Sequence, residues 1–214
     1  MTKSVDLDAI VARLSRLSAP ASADDEGPRA AVAAIFRQHA NGGAELFFIR
    51  RAERAGDPWS GHIAFPGGRH APSDETLLHT AIRETREEVG IDLTDVELVT
   101  RLPEVPAFTR EKRGMLVVVP FVFVLRADVS PSPNYEVADT LWVPFDKLSS
   151  GEGRETFHWQ WEGKDLELPC IRLEHTEQVL WGMTYRMVQT ILDALGPTDD
   201  SEGPEGAAIR SGRL

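Results

Sequence analysis

What this chain of 214 residues has little of sets its first limits. It carries one cysteine, Cys170, so no disulfide can close within it, and its chemistry fits a reducing compartment, read here as the cytoplasm. Cys170 follows Pro169 in a strand-like run and reads as a small buried hydrophobe rather than a nucleophile. Basic residues are scarce: 23 Lys and Arg face 34 Asp and Glu, a formal net charge of -11. That balance argues against non-specific binding to nucleic acid or to a membrane surface, both of which need basic patches. It does not exclude a phosphate-bearing substrate, because a divalent cation reverses a local acidic field. Long apolar runs are lacking as well. The richest, Met115 to Leu125, is too short for a membrane span and contains Pro120, so it reads as a buried strand. The N-terminal stretch lacks the continuous apolar core of a secretory signal. No internal repeat is present. The histidines His62, His70, His79, His158 and His175 do not fall at metal-ligand spacing, and His158, between Phe157 and Trp159, reads as a structural histidine.

What is there suffices for one sizeable core, with 42% of residues hydrophobic. Leu7, Ile10, Val11, Leu14 and Leu17 recur at helical spacing and predict an amphipathic helix over 5–17. A Ser-, Ala- and Pro-rich linker follows at 18–28. Arg29 to Gln38 and Glu45 to Arg51 read as strands joined at Asn41-Gly42-Gly43. Val96 to Leu102 and Met115 to Leu125 are further strands, with a loop over Pro103 to Arg113 that either lines a pocket, its Phe108 and Arg110 touching a base or acyl group, or is a surface loop with no role. Thr156 to Trp161 and Asp165 to Leu173 form a hairpin, and Gln178 to Leu195 a final helix with a broad apolar face. The order of hairpin, helix, strands, hairpin and helix predicts a mixed sheet with helices on it, an α/β/α sandwich. The expected organisation is an N-terminal helix and linker at 1–27, one domain over 28–195, and a disordered tail at 196–214.

One stretch organises the rest: FPGGRHAPSDETLLHTAIRETREEVGI, from Phe65 to Ile91. Ser73 is a plausible N-cap, with Asp74 and Glu75 in the first turn and Gly90 as the stop. Leu78, Ile82, Thr85 and Val89 give a core-facing stripe. Beside it, Glu84, Glu87 and Glu88 stand at i, i+3 and i+4, so the three carboxylates share one face. Like charges at that spacing repel, a cost that a cation among them would offset. Oxygen-only ligands suit Mg2+ or Mn2+ rather than zinc. Upstream, the run Ile63-Ala64-Phe65 reads as a strand, and Gly67-Gly68 as a loop whose backbone can approach a ligand closely and lend a carbonyl to a metal. Arg50, Arg51 and Arg54 form a basic cluster that either contacts a phosphate or is solvated charge at a strand end. Glu136 precedes Val137 and the run Trp142-Val143-Pro144, where its plain reading is an exposed strand-end acid. Trp142 reads as core, whereas Trp59, Trp159 and Trp161 either stack on a base or pack against protein.

The stretch resembles the Nudix box: Glu75, Arg83, Glu84, Glu87, Glu88, Gly90 and Ile91 fall in its register. It departs in two places. Gly68 lies one residue too far from Glu75, so the loop carries an insertion or Asp74 takes the first acidic role, and Thr85 replaces an aliphatic residue. The resemblance implies a Nudix-type α/β/α sandwich over roughly 28–195 and a Mg2+- or Mn2+-dependent hydrolase of diphosphate linkages. It implies metal ligation by Glu84, Glu87, Glu88 and the Gly67 backbone, and Glu84 or Glu136 as the base. Arg83 would pair with Glu75 or another acid and fix the ligands. Arg50, Arg51, Arg54 and Gly68 are the candidate substrate contacts. Phe65-Pro66-Gly67-Gly68, the Arg50-Arg51-Ala52 run and Trp181-Gly182-Met183-Thr184 look like the coenzyme A pyrophosphatase branch, although Asp57 stands where that branch carries a second Arg. The implied substrates are coenzyme A or an acyl-CoA, with ADP-ribose, nucleotide sugars and dinucleoside polyphosphates as alternatives. A minority alternative is a non-catalytic nucleotide sensor. The same resemblance allows a homodimer.

Overall fold

Two strands form the spine of the molecule. In the computed structural model, which describes residues 5–17, 27–39, 42–55, 59–107, 116–161, 163–174 and 178–196, β1 (Arg29–Gln38) lies parallel to β7 (Leu116–Leu125). Both strands are almost continuously apolar, as a strand covered on both faces must be. Around them are β2 (Ala44–Arg51), β3 (Ile63–Ala64), β4 (Gly67–Arg69), β5 (Glu97–Arg101), β6 (Val105–Ala107) and β8 (Val137–Pro144), all paired antiparallel in one mixed sheet of eight. Pro120 survives inside β7 because its partner changes there. β5 ends opposite Phe121, β6 begins opposite Val118, and Leu102 between them donates its N–H to the Pro120 carbonyl at 2.9 Å. A missing N–H costs little where the ladder is already interrupted.

Helices cover both faces. α1 (Leu7–Leu14) and α4 (Gly182–Leu195) share one core with Phe36, Leu46, Phe48 and Phe65, and Arg13 donates to the Leu195 carbonyl to tie the two together. α2 (Leu77–Val89) covers the other core, with Ala31, Ile35, Phe47 and Val119. A short α3 (Phe145–Ser149) plugs the edge through Phe145, edge-on to Phe36 at 5.3 Å. A second sheet, β9 (Arg154–Trp161), β10 (Lys164–Arg172) and β11 (Val179–Trp181), carries the chain into α4. The expected α/β/α sandwich is what forms.

Four local expectations are corrected. The first helix is shorter than 5–17. The Gly67-Gly68 pair is not a loop but most of β4, paired with Val32 and Ala31 of β1. The loop after β5 holds the short strand β6. The final helix starts at Gly182, because Val179 to Trp181 extends as a strand against Arg172 to Cys170. Cys170 is buried, and burial raises its thiol pKa. His158 is on the solvent side of β9, 3.6 Å from Asp165, and Trp142 is partly buried against Phe47 with Arg37 over its ring at 4.0 Å. Asp57, Phe108, Arg110, the linker at 18–26, the tail from 197 and the Trp161 side chain lie outside the described residues.

Candidate active site

The acid-bearing helix begins three residues later than the sequence suggests. Thr76, not Ser73, is the N-cap of α2, accepting the His79 N–H at 3.2 Å. Asp74 is occupied elsewhere. It is bound by the Ala71 N–H at 3.0 Å, the Thr80 hydroxyl at 2.9 Å, and Arg83 through Nε and Nη2, both at 2.8 Å. Two parallel bonds from one guanidinium to one carboxylate are the strongest form of this pairing. They drive the Asp74 pKa well below the carboxylate range and raise that of Arg83. Glu75 is largely exposed and faces His79 at 3.7 Å, so Asp74 is the acid that holds Arg83. The buried Thr80, hydrogen-bonded to Asp74 and to His70 at 2.9 Å, belongs to this network and carried no sequence signal.

The other end of α2 is set by Gly90, whose left-handed φ of 70° closes the helix by donating to the Arg86 carbonyl. The core stripe is Ala81, Thr85 and Val89, with Leu78 and Ile82 only partly buried. Thr85 stands where an aliphatic residue is usual because its hydroxyl folds back onto the Ala81 carbonyl at 2.7 Å. The acidic and core faces overlap: Glu88 is 3% exposed. Its Oε2 accepts the Gly67 N–H at 2.9 Å. Burial raises its pKa to about 7, Glu84 and Glu136 add to the rise, and the Gly67 bond and the charge of Arg51 oppose it. Glu84 is also raised, first by burial, with Glu87 and Glu136 contributing and Arg83 opposing.

The glycines explain how these acids come so close to backbone. A methyl group at Gly68 would run into the Glu84 carboxylate, and one at Gly67, where φ is 151°, would drive into the Ala31 carbonyl and Val32 Cα. Gly67 meets the acids through its N–H. Arg83 Nη1 reaches Glu84 at 2.9 Å and Glu87 at 3.1 Å, so one guanidinium bridges three acids and offsets the charge of one. Glu87 is the most exposed of the helix acids, its side chain 54% accessible. Among the described residues, no three His, Cys, Asp or Glu side chains gather as a metal's ligands would.

Of the remaining candidates, Arg51 acts on Glu88, and Arg50 sits in β2 between Ile63 and Asp139. Arg54 does not point at the helix acids. Its Nη2 binds Glu136 at 2.9 Å, and its guanidinium lies 5.3 Å from the ring of Tyr135, which is 81% exposed. Glu136 is near enough to raise both Glu84 and Glu88. Its loop is fixed to α2 by Asn134, which donates from its side chain to the Glu87 carbonyl and from its backbone to that of Glu88. The spacing in the chain gave no hint of Asn134.

An α/β/α sandwich with the acids of one helix packed against a glycine strand defines a class of domain. The chain belongs to the NUDIX domain family, whose family model matches residues 27–162. It is 32% identical over 134 residues to Nudix hydrolase 22, chloroplastic, of Arabidopsis thaliana, covering 60% of this chain and 43% of that protein. It is 29% identical over 154 residues to the mitochondrial coenzyme A diphosphatase NUDT8 of Mus musculus, covering 71% of each. The crystal structure of a MutT/nudix family protein from Enterococcus faecalis aligns with a TM-score of 0.51 at 15% identity, over 90% of this chain and 75% of that one, a likeness of fold alone. No helix among the described residues is long and apolar enough to cross a membrane.

Proposed function

We propose that this domain hydrolyses the diphosphate linkage of a nucleoside diphosphate derivative, using Mg2+ or Mn2+ held by Glu84, Glu87 and Glu88 next to the Gly67-Gly68 strand. The observation that carries this reading is the neighbouring pair of carboxylates, the buried Glu88 and the partly buried Glu84, both of raised pKa, beside the Gly67-Gly68 strand. Such a pair is under-neutralised by the protein around it, and an all-oxygen donor set suits a hard divalent ion. Bound there, the ion would supply charge neutralisation at the phosphoryl oxygens and lower the pKa of a water. Arg83 would give up Glu84 and Glu87 to it while keeping its two bonds to Asp74.

In the reaction, the oxygen of water bonds to one phosphorus. The bond from that phosphorus to the bridging oxygen breaks, and its electron pair leaves with the other phosphate. The water proton passes to Glu84 or to Glu136, whose charge reaches Glu84. In this reading Arg51 and Arg54 would meet the phosphates, with Arg54, now bound to Glu136, exchanging that acid for the substrate anion. Coenzyme A or an acyl-CoA is the favoured substrate, on the likeness to the mouse diphosphatase. A cytoplasmic setting rests on the single cysteine.

The test is product release, with Mg2+ and with Mn2+, from coenzyme A, ADP-ribose, a nucleotide sugar and a dinucleoside polyphosphate. Glu88→Gln is expected to lower kcat/KM by about a thousandfold or more, a transition-state loss of about 4 kcal/mol. Tight nucleotide binding with no turnover of any substrate by the wild type would overturn the proposal in favour of a sensor.

A further inference from the structure

The last turn of α2 ends, like that of any helix, in carbonyls that have no donor within the helix. Gly90 takes the one on Arg86. The next three are met by the loop before β8. Asn134 Nδ2 donates to the Glu87 carbonyl at 2.9 Å, the Asn134 N–H to the Glu88 carbonyl at 2.8 Å, and the Ser132 N–H to the Val89 carbonyl at 2.8 Å. Asn134 is then used a third time: its Oδ1 accepts the Glu136 N–H at 2.7 Å. An amide carries donor and acceptor on separate atoms, so it can span two backbones at once. A carboxylate cannot donate, and a hydroxyl has one atom for both tasks. The network also fixes which way the amide points, because the reversed group would set oxygen against the Glu87 carbonyl.

We infer that Asn134 is a positioning residue for the reaction: its amide ties the backbone of the proposed metal ligands Glu87 and Glu88 to that of Glu136, and so sets where Glu136 stands. The inference rests on the diphosphate-hydrolase reading, in which Glu136 is one of the two acids open to the water proton. Glu136 is held in two ways. Arg54 Nη2 binds its carboxylate at 2.9 Å, while its backbone is bonded on one side to Asn134 and on the other to the Ala52 N–H at 2.8 Å. A substrate anion that takes Arg54 would release the carboxylate and leave the backbone bonds in place. Position then depends on the tether. A proton acceptor works within hydrogen-bond reach, and a misplacement of about 1 Å costs up to about a hundredfold in rate. A local turn, in which the Asn side chain binds the N–H two residues on, accounts for the bond to Glu136 but not for the bond to Glu87 in the helix.

Two variants separate the turn from the tether. Asn134→Ser keeps a hydroxyl that can accept the Glu136 N–H but is too short to span to the helix as well, and Asn134→Ala removes both bonds. Each should lower kcat about tenfold with KM within about twofold of wild type. In a Glu136→Gln background, Asn134→Ser should change kcat by less than about twofold, because a residue that acts through Glu136 has nothing left to position. In the metal-free protein, Asn134→Ala should speed hydrogen exchange of the Glu136 amide about tenfold, read by NMR, with the Ala81 amide in the core of α2 unchanged. Losses that add in the double variant overturn the role, as does wild-type turnover by Asn134→Ser or an unmoved Glu136 amide. Each of those leaves the hydrolase reading standing. No turnover of any substrate by the wild type overturns that reading and this role with it, while exchange at Glu136 still reports on the tether.

Discussion

Asp74 just precedes α2 and Glu88 lies in its last turn, both nearly removed from water, yet burial has opposite outcomes for them. Asp74 accepts four hydrogen bonds, two of them from Arg83, and stays ionised far below the usual range. Glu88 accepts the Gly67 N–H, faces two other acids, and holds its proton up to about pH 7. The first carboxylate is compensated from within the fold. The second is compensated only in part, and waits for a charge from outside. A buried acid therefore says little by itself; the donors that surround it separate scaffold from site.

That contrast can be sharpened most by pH. The folded pKa of Glu88 lies above the ordinary glutamate value of about 4.5, so the folded protein retains a proton that the unfolded chain releases. Stability of the metal-free protein should fall as pH rises from about 4.5 to about 7, by about 3 kcal/mol in all. Denaturant titrations across that window check this, and Glu88→Gln should flatten the slope and leave the variant more stable than wild type at pH 8. An unchanged slope in the variant would show that another group titrates there.

Next in size is Asp74→Asn. The depressed pKa of Asp74 contributes stability above the unfolded carboxylate range, and that contribution is lost as pH falls through it. Removing the charge at neutral pH leaves Arg83 with a neutral partner and should cost about 2 kcal/mol, read as a lower denaturant midpoint at unchanged m-value. Smallest is Glu87→Gln. Its ion pair with Arg83 is exposed, so stability should move by less than about 0.5 kcal/mol. Activity with Mg2+ should nevertheless drop measurably, because the proposed ligand is gone. A large stability change with normal turnover would reverse the roles drawn here for Glu87 and Asp74.

How much of this was legible in the sequence follows the range of each signal. Gly90 announced the end of α2 because a left-handed residue after an apolar period is a local requirement. β1 and β7 were readable because a strand covered on both sides shows as an unbroken apolar run. The cap was misjudged because Ser73 and Thr76 are equally good in isolation, and the choice was made by Asp74 bonding to Arg83 nine residues away. Gly67-Gly68 looked like a loop because glycine marks turns far more often than strands. Its pairing with Ala31 and Val32 depends on residues more than thirty positions upstream. Val179 to Trp181 fitted the helical period that follows it, and only the register with β10 makes it a strand.

Gly67 is closed in by the backbone of β1, so even the smallest side chain there meets main-chain atoms that cannot swing aside. Gly68 is crowded only by the free end of Glu84, a group that can turn away. Two identical letters, side by side, thus differ in what they protect. A side chain at the first would have to move main chain, whereas one at the second would displace the acid proposed for the metal, so the first guards the fold and the second the chemistry.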